Sequence, residues 1–173
     1  MKRAACVLFA AMAFISTAAQ GQVGVEFHLG GGITQPTGNF GDAAKLGWHG
    51  LATIALIPSH APFAIQATGM YGENKFKVGS GKWKLSGALA EVRLDLGTSG
   101  KSRGYVMAGG GVFGVKAAGV GKSKAAFDGG AGFAYMASPK AGVFIEGRYV
   151  NVFESGPDIG FIPITVGVRI AIQ

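Results

Sequence analysis

Apolar and polar residues alternate one by one along much of this chain. In AEVRLDL, Ala90–Leu96, the charged residues Glu91, Arg93 and Asp95 stand between apolar neighbours. Because successive side chains of a β-strand point to opposite sides of the sheet, such a segment has one apolar face and one ionic face. Eight segments with this period are separated by turn-forming residues, and we interpret them as strands. The predicted strands are Val23–Thr34, Trp48–Ile57, Phe63–Phe76, Lys82–Leu96, Tyr105–Lys116, Ala126–Ala137, Gly142–Phe153 and Phe161–Ile172.

The connections between the predicted strands differ in length from one end of the strands to the other. Three short ones lie at Pro58–Pro62, Gly97–Gly104 and Ser138–Ala141. The opposite end carries longer ones at Gln35–Gly47, Ala117–Ala125 and Glu154–Gly160. An even number of strands with short turns at one end and longer loops at the other is typical of bacterial outer-membrane β-barrels. The pattern therefore predicts an all-β fold, an eight-stranded antiparallel up-and-down transmembrane β-barrel.

The composition argues against a soluble helical protein. Glycine accounts for 31 of 173 residues, and each glycine costs a helix about 1 kcal/mol relative to alanine. Charged residues are 14% of the chain, whereas roughly 25% is usual for soluble domains. The single cysteine, Cys6, lies in the first few residues, so we expect no disulfide bond to stabilise the fold.

The first residues have the pattern of an export signal. Lys2 and Arg3 are followed by the uncharged apolar run Ala4–Ile15 and then by small residues. This apolar run is too short to cross a bilayer as a helix, but it suits a cleaved signal peptide. We therefore expect residues 1–19 to be removed on export and residues 20–173 to form one barrel domain in the bacterial outer membrane.

Alternation leaves open whether the apolar face meets lipid outside or a bound ligand inside, as in soluble lipid-binding barrels. In the last strand the isoleucines and valines share one face, and the other face carries Pro163, Thr165, Gly167, Arg169 and Ala171. The second faces of strands five and six are Val106, Ala108, Gly110, Val112, Gly114 and Lys116, and Asp128, Gly130, Gly132, Ala134 and Met136. These small, scarcely polar faces suit the narrow lumen of an eight-stranded barrel better than a water-exposed surface. We therefore expect the apolar faces to point outward into lipid.

The same parity directs charged side chains into the lumen. The expected lumen residues are Glu26, His28, Glu91, Arg93, Asp95, Glu146, Arg148 and Arg169. Because buried charges are tolerated in membrane proteins mainly as pairs, we expect an ion-pair network that fills the barrel. Closure of the barrel should place Arg169 near Glu26 and Glu146. The alternative is that some of these side chains only contact water in the lumen.

Aromatic residues fall near both expected membrane boundaries, as in the two aromatic girdles of membrane barrels. Those near the short turns are Phe63, Tyr105, Tyr135 and Phe144. Those near the longer loops are Trp48, Phe76, Trp83, Phe127, Phe153 and Phe161.

Three stretches resemble the small eight-stranded outer-membrane barrels of the OmpA-domain and OmpX type. They are VEFHLGGGITQPTGNFGDAAKLGWHG (Val25–Gly50), FIEGRYV (Phe144–Val150) and FIPITVGVRIAI (Phe161–Ile172). The resemblance implies a stand-alone, non-enzymatic barrel with a structural or surface-interaction role in the envelope. It also implies a monomer that the outer-membrane assembly machinery inserts among outer-membrane lipid and lipopolysaccharide.

Motifs for other chemistry lack their context. Gly109-x-Gly111-x-x-Gly114 fits a dinucleotide fingerprint but lies inside a predicted strand with no helix after it. The histidines lack metal-ligand spacing, so we expect no metal. We also expect no cofactor, no nucleic-acid partner and no catalytic residue. A lipid A acyl-modifying enzyme with His49 and Asp42 near the outer leaflet is the enzymatic alternative. We favour an isolated exposed histidine, since no serine is placed beside His49.

A lysine-rich hairpin is predicted in YGENKFKVGSGKWKLSG, Tyr71–Gly87. A turn at Val78–Gly81 would pair Lys77 with Lys82, Phe76 with Trp83, and Lys75 with Lys84. All four lysines would then point outward, just above the apolar band, and Lys116, Lys122 and Lys124 would add positive charge to the same rim. Directly opposed like charges destabilise a sheet, so we expect an anion, the phosphates of lipopolysaccharide, at Lys75, Lys77, Lys82 and Lys84. The alternative is solvated lysines that prevent edge pairing.

Overall fold

A computed structural model describes residues 23–59, 61–117, 120–154, 156 and 158–172, which form a closed barrel. The eight strands are β1 (Val23–Thr37), β2 (Ala44–Pro58), β3 (Phe63–Phe76), β4 (Lys82–Ser99), β5 (Ser102–Ala117), β6 (Val120–Met136), β7 (Ala141–Val152) and β8 (Ile159–Ile172), and one helix, α1 (Gly38–Ala43), follows β1. Each strand pairs antiparallel with the next, and β8 pairs with β1. The predicted fold class is confirmed. The expected signal peptide, residues 1–19, lies outside the described residues.

The strands extend further than the alternation of polarity indicated. The predicted intermediate connection Ala117–Ala125 is wrong, because Val120 already pairs with Ala117 and β6 begins there. Likewise β2 begins at Ala44, which reduces the predicted Gln35–Gly47 loop to the short helix α1. Backbone hydrogen bonds carry these extensions where the side chains no longer alternate in polarity. We call the end of the barrel that carries α1 the loop end, and the end where β1 begins and β8 ends the turn end.

The exterior of the barrel is apolar and the interior holds the charges. On β8, Ile164, Val166, Val168 and Ile170 are 41–59% exposed, whereas Arg169 between them is 1% exposed. The expected outward direction of the apolar faces is thereby confirmed, and a soluble carrier with an apolar lumen is excluded. Among the described residues, no helix is long and apolar enough to cross a membrane.

The face assigned to the lumen in strand five is wrong. Val106, Ala108, Gly110, Val112, Gly114 and Lys116 point outward, whereas Tyr105, Met107, Phe113 and Val115 are buried inside. Glycines on the adjacent strands make room for these large side chains. A Cβ at Gly87 would strike the Phe113 ring, and one at Gly132 would strike the Tyr105 ring. Complementary size across strands, rather than polarity, decides which face of β5 fills the lumen.

The predicted aromatic girdles are correct only in part. Trp48, Phe63, Phe127, Tyr135 and Phe153 are exposed on the outer wall. Tyr105, Phe144 and Phe161 are buried in the lumen, and Phe76 and Trp83 are partly buried and stack edge to face there. The inward aromatics fill space that the many glycines of the wall leave empty.

Helix α1 covers the lumen at the loop end. Its Phe40 is 3% exposed and contacts Trp83 and Phe161, with ring centroids 5.6 and 6.5 Å apart. Phe161 in turn packs against Phe113 at 5.7 Å. An apolar cluster therefore closes the barrel above the charged region.

Candidate functional site

The charged side chains of five strands meet inside the barrel because each occupies an inward position of its strand. All of the central members are at most 3% exposed: Glu26 on β1, Glu91 and Arg93 on β4, Asp128 on β6, Glu146 and Arg148 on β7, and Arg169 on β8. His28 on β1 is 5% exposed, and Asp95 on β4 is 24% exposed. Threonine and glutamine side chains on β2 and β3 complete the wall at this level.

Glu26 binds two arginines at the turn-end side of the network. Both terminal nitrogens of Arg93 donate hydrogen bonds to Glu26 Oε2 at 3.1 Å. Nη2 of Arg169 donates to the two carboxylate oxygens of Glu26 at 2.6 Å. Nε of Arg93 also donates to Asp95 at 3.1 Å, and His28 lies 3.4 Å from Glu26. One carboxylate thus links β1, β4 and β8 across the seam where the barrel closes.

Arg148 has the reverse role, with one guanidinium among three carboxylates. Its Nε donates to Glu146 at 2.9 Å, and its Nη1 contacts Glu91 directly and lies 3.4 Å from Asp128. Glu91 also accepts hydrogen bonds from Thr68 and from Gln66, the latter at 3.0 Å. Since charge-assisted hydrogen bonds satisfy most of these groups, the buried charges are tolerable.

Tyr105 connects the two groups into a single network. Its hydroxyl donates to Glu146 at 3.1 Å, and the Arg93 guanidinium carbon lies 5.7 Å from the centre of its ring. The contact with Arg93 has the geometry of a cation–π interaction. The network therefore runs from Arg169 through Glu26, Arg93 and Tyr105 to Glu146 and Arg148.

The structure places all eight residues proposed from the sequence in or beside this network. Arg169 lies at Glu26 as expected, but Glu146 contacts Arg148 and Tyr105 rather than Arg169. Asp128 and Tyr105 are members that were not included in the expected network, although Asp128 had been assigned to the lumen face of its strand. The inward parity of Asp128 on β6 was a usable signal, whereas Tyr105 was assigned to the wrong face.

His49 lies inside the barrel, not on its surface. It is 2% exposed and lies 3.1 Å from the Thr34 hydroxyl and 2.8 Å from the Thr165 hydroxyl. Asp42, its supposed acidic partner, is exposed on α1. The expectation of an exposed histidine is therefore wrong. In the described part of the chain, no three His, Cys, Asp or Glu side chains are arranged to hold a metal ion.

The lysine hairpin differs from its predicted pairing by two residues. Lys75, not Lys77, pairs with Lys82, and Lys84 lies beside Glu73 rather than Lys75. Glu73 accepts a hydrogen bond from Lys82 at 2.5 Å and lies 4.0 Å from Lys84. A carboxylate of the protein itself, that of Glu73, therefore compensates part of the positive charge for which an external anion was expected.

Positive charge nevertheless remains concentrated at this rim. Lys84 on β4 also pairs with Lys116 on β5. Two pairs of lysines are therefore directly opposed across neighbouring strands, Lys75 with Lys82 and Lys84 with Lys116. All four point outward from the barrel and are exposed. Further round the rim, Lys124 pairs with Glu154 at 3.2 Å.

The connection between β7 and β8 is fixed by its own hydrogen bonds. Asn151 Nδ2 donates to Asp158 at 3.1 Å, and the Glu154 backbone N–H donates to it at 3.2 Å. These two bonds hold the pKa of Asp158 below its usual value, since they favour the charged carboxylate.

An apolar outer wall around a buried ionic network defines a transmembrane β-barrel, and the fold is that of small eight-stranded outer-membrane proteins. Among solved structures, Neisserial surface protein A is similar with a TM-score of 0.66 at 15% identity, covering 86% of this chain and 96% of that one. The N-terminal barrel domain of Pseudomonas aeruginosa OprF is similar with a TM-score of 0.58 at 18% identity. The match covers 88% of this chain and 100% of that one. The attachment invasion locus protein Ail of Yersinia pestis, solved in complex with the heparin analogue sucrose octasulfate, has a TM-score of 0.54 at 13% identity. This match covers 87% of this chain and 97% of that one. No family model and no curated protein sequence matches this chain.

Proposed function

We propose that this protein is a non-enzymatic, monomeric barrel of the bacterial outer membrane that contributes to envelope structure and contacts lipopolysaccharide. The observation that carries the proposal is the filled lumen: ion pairs occupy its centre and an apolar cluster covers it at the loop end. A barrel whose interior is occupied in this way offers its outer wall and its rim, not a channel, for function. The fold shared with outer-membrane proteins supports the location.

A filled lumen predicts very low conductance. Water-filled channels occur in barrels of many more strands, whereas eight strands enclose little more than their own side chains. In planar bilayers, the purified protein should give no stable open level under conditions in which a general porin, the positive control, gives one. A steady single-channel current that scales with salt concentration would contradict the proposal.

The rim lysines are the proposed contact with lipopolysaccharide. Glu73 can neutralise only one positive charge, so the Lys75–Lys82 and Lys84–Lys116 pairs retain an excess of positive charge. Phosphate oxygens bind ammonium groups well, and lipid phosphates lie at the level of a membrane barrel's rim. The lysines therefore have a ligand of opposite charge at their own height.

Replacing Lys75, Lys77, Lys82 and Lys84 with glutamine should weaken lipopolysaccharide binding about tenfold, which corresponds to roughly 1.4 kcal/mol for the set. The remaining affinity should also depend less on salt, since screened charge–charge attraction is lost. Both effects can be measured by titration of the detergent-solubilised barrel. The control is Lys101→Gln with Lys140→Gln, because these exposed lysines lie at the turn end. Equal affinity of both variants and the wild type would contradict the lysine contact.

A further inference from the structure

An apolar groove runs along the outer wall of the barrel over β1 to β4. It consists of two adjoining hollows, each of about 500 Å³, which share Leu29, Ala52 and Gly69. The floor is made of small residues, namely Ala52 on β2, Ala67 and Gly69 on β3, and Ala88 on β4. The larger side chains of Phe27, Leu29 and Ile54 form its sides at the hollow nearer the turn end.

The small residues are neighbours across strands, so the floor is continuous. Ala52 pairs with Gly69, and Gly69 pairs with Ala88. At the sides, Leu29 is 64% exposed and Ile54 is 49% exposed. A wall of uniform height would meet lipid chains without fixing any of them. A groove with raised sides surrounds one chain and gains dispersion contacts on several sides.

The loop end of the groove is bordered first by aromatic rings and then by charge. Trp48 and Tyr71 are half-exposed there, with ring centroids 5.8 Å apart. The next outward positions are Glu73 on β3, which pairs with Lys84, and Lys82 beyond it on β4. Since a strand rises about 3.4 Å per residue, these charges begin roughly 7 Å beyond the last groove residue of β3. Apolar groove, aromatic border and cations thus follow one another in the order of acyl chain, interface and phosphate.

We propose that this groove is a lipid-binding site in which one acyl chain of the lipid A part of lipopolysaccharide lies on Ala52, Gly69 and Ala88 while a lipid A phosphate lies at Lys82 and Lys84. The site deepens the proposed function, on which it rests, by adding a defined chain position to a contact argued above from charge. A second copy of the barrel would also cover small residues. It would not account for the excess of lysines over Glu73 just beyond the groove, and charge complementarity therefore selects the phosphorylated lipid.

The chain offers a variant that fills the groove without disturbing the barrel. A Cβ built at Gly69 meets no atom of the described residues within 4 Å, so Gly69→Leu adds its side chain to the groove alone. Gly147 on β7 is likewise exposed on the outer wall, a Cβ built there meets nothing within 4 Å in the part of the chain that the structure describes, and Gly147 does not line the groove. Gly147→Leu is therefore the matched control. Ala88→Leu fills the same groove from β4 and serves if Gly69→Leu inserts poorly.

Trp48, at the border of the groove, can report which lipid occupies it. Trp83 lies among lumen aromatics and is replaced by phenylalanine, which leaves Trp48 as the single tryptophan of the described chain. The full-length protein is placed in phosphatidylcholine nanodiscs that contain increasing fractions of lipid A with brominated acyl chains. Bromine quenches tryptophan fluorescence at close range, so a bound chain quenches Trp48 before bulk lipid does.

We expect quenching that saturates at a low lipid A fraction, is lost in Gly69→Leu and Ala88→Leu, and is retained in Gly147→Leu. Dephosphorylated lipid A with the same brominated chains should lose the saturating part, as should Lys82→Gln with Lys84→Gln. Quenching that rises only in proportion to the lipid fraction, or that groove filling leaves unchanged, would overturn the site. If groove filling changes nothing but the lysine variants still bind lipopolysaccharide more weakly, the groove is wrong and the proposed function stands. Energy transfer between labelled barrels that Gly69→Leu abolishes would instead identify a second copy as the occupant and also overturn the proposal.

Discussion

Replacing Arg148 with methionine is expected to destabilise the inserted barrel by about 3 to 5 kcal/mol, the usual cost of breaking a buried ion pair by removing one partner. Arg148 is the guanidinium that Glu91, Glu146 and Asp128 share, and all four side chains are at most 3% exposed. Without it, three carboxylates repel one another in a region with little water to screen them. Urea unfolding of the protein in lipid vesicles, followed by the loss of heat-modifiable migration on gels, measures the change.

Two further variants separate the effect of the lost charge from that of the lost hydrogen bonds at this position. Arg148→Lys keeps the positive charge but loses several directed hydrogen bonds. Its stability against urea should therefore lie between those of the wild type and Arg148→Met. Adding Glu91→Gln to Arg148→Met removes one of the stranded charges and should restore part of the lost stability. If Arg148→Met unfolds at the wild-type urea concentration, the guanidinium does not hold this cluster together.

Replacing Glu26 with glutamine should have an effect of similar size, about 3 to 5 kcal/mol, for the opposite reason. It leaves Arg93 and Arg169, which are 0% and 1% exposed, without the carboxylate that they share. Arg93 keeps its contact with Asp95, but among the described residues Nε and Nη1 of Arg169 have no hydrogen-bond partner even before the substitution. Because Glu26 joins β1 to β8, the loss should appear first as opening of the seam.

Hydrogen exchange of the β1 and β8 amides, measured beside urea unfolding, tests the location of this effect. Glu73→Gln is the matched control, because it makes the same chemical change at an outward ion pair whose Lys82 is half exposed. Exposed pairs contribute little, so this control should unfold almost as the wild type does. If Glu26→Gln and Glu73→Gln lose the same amount of stability against urea, burial does not strengthen the contacts of Glu26.

The strands and the charged lumen were predictable because both depend on a local pattern. A period of two over residues 90–96 is sufficient to place Glu91, Arg93 and Asp95 on one side, whatever the rest of the chain does. The polarity of the opposite face then indicated which side meets lipid. The same reasoning correctly directed Glu26, Glu146 and Arg169 inward, although they are far apart in sequence.

Strand β5 shows where this reasoning fails. Both of its faces are apolar and rich in glycine, so polarity offers no choice between them. The structure places Phe113 and Tyr105 inside because Gly87 and Gly132, on other strands, leave the necessary space. Such complementarity of volume depends on which residues become neighbours across strands. The alternation of polarity along a single strand does not specify these neighbours.

Partners across strands were uncertain for a related reason. A shift of two residues keeps every side chain on its face, so parity alone could not distinguish Lys84 beside Lys75 from Lys84 beside Glu73. The choice changes the chemistry of the rim, since only the observed register gives Lys82 and Lys84 an acidic neighbour.

The amino-acid order alone was enough to establish eight strands, an oily exterior and a charged interior, because each depends on alternation between adjacent residues. The identity of the ion pairs, the inward face of β5 and the outer groove over β1 to β4 arose from barrel closure, which brings distant strands together in one register. Polarity is a property of single residues, whereas charge neutralisation and filled volume are properties of neighbours, and closure of the barrel selects the neighbours.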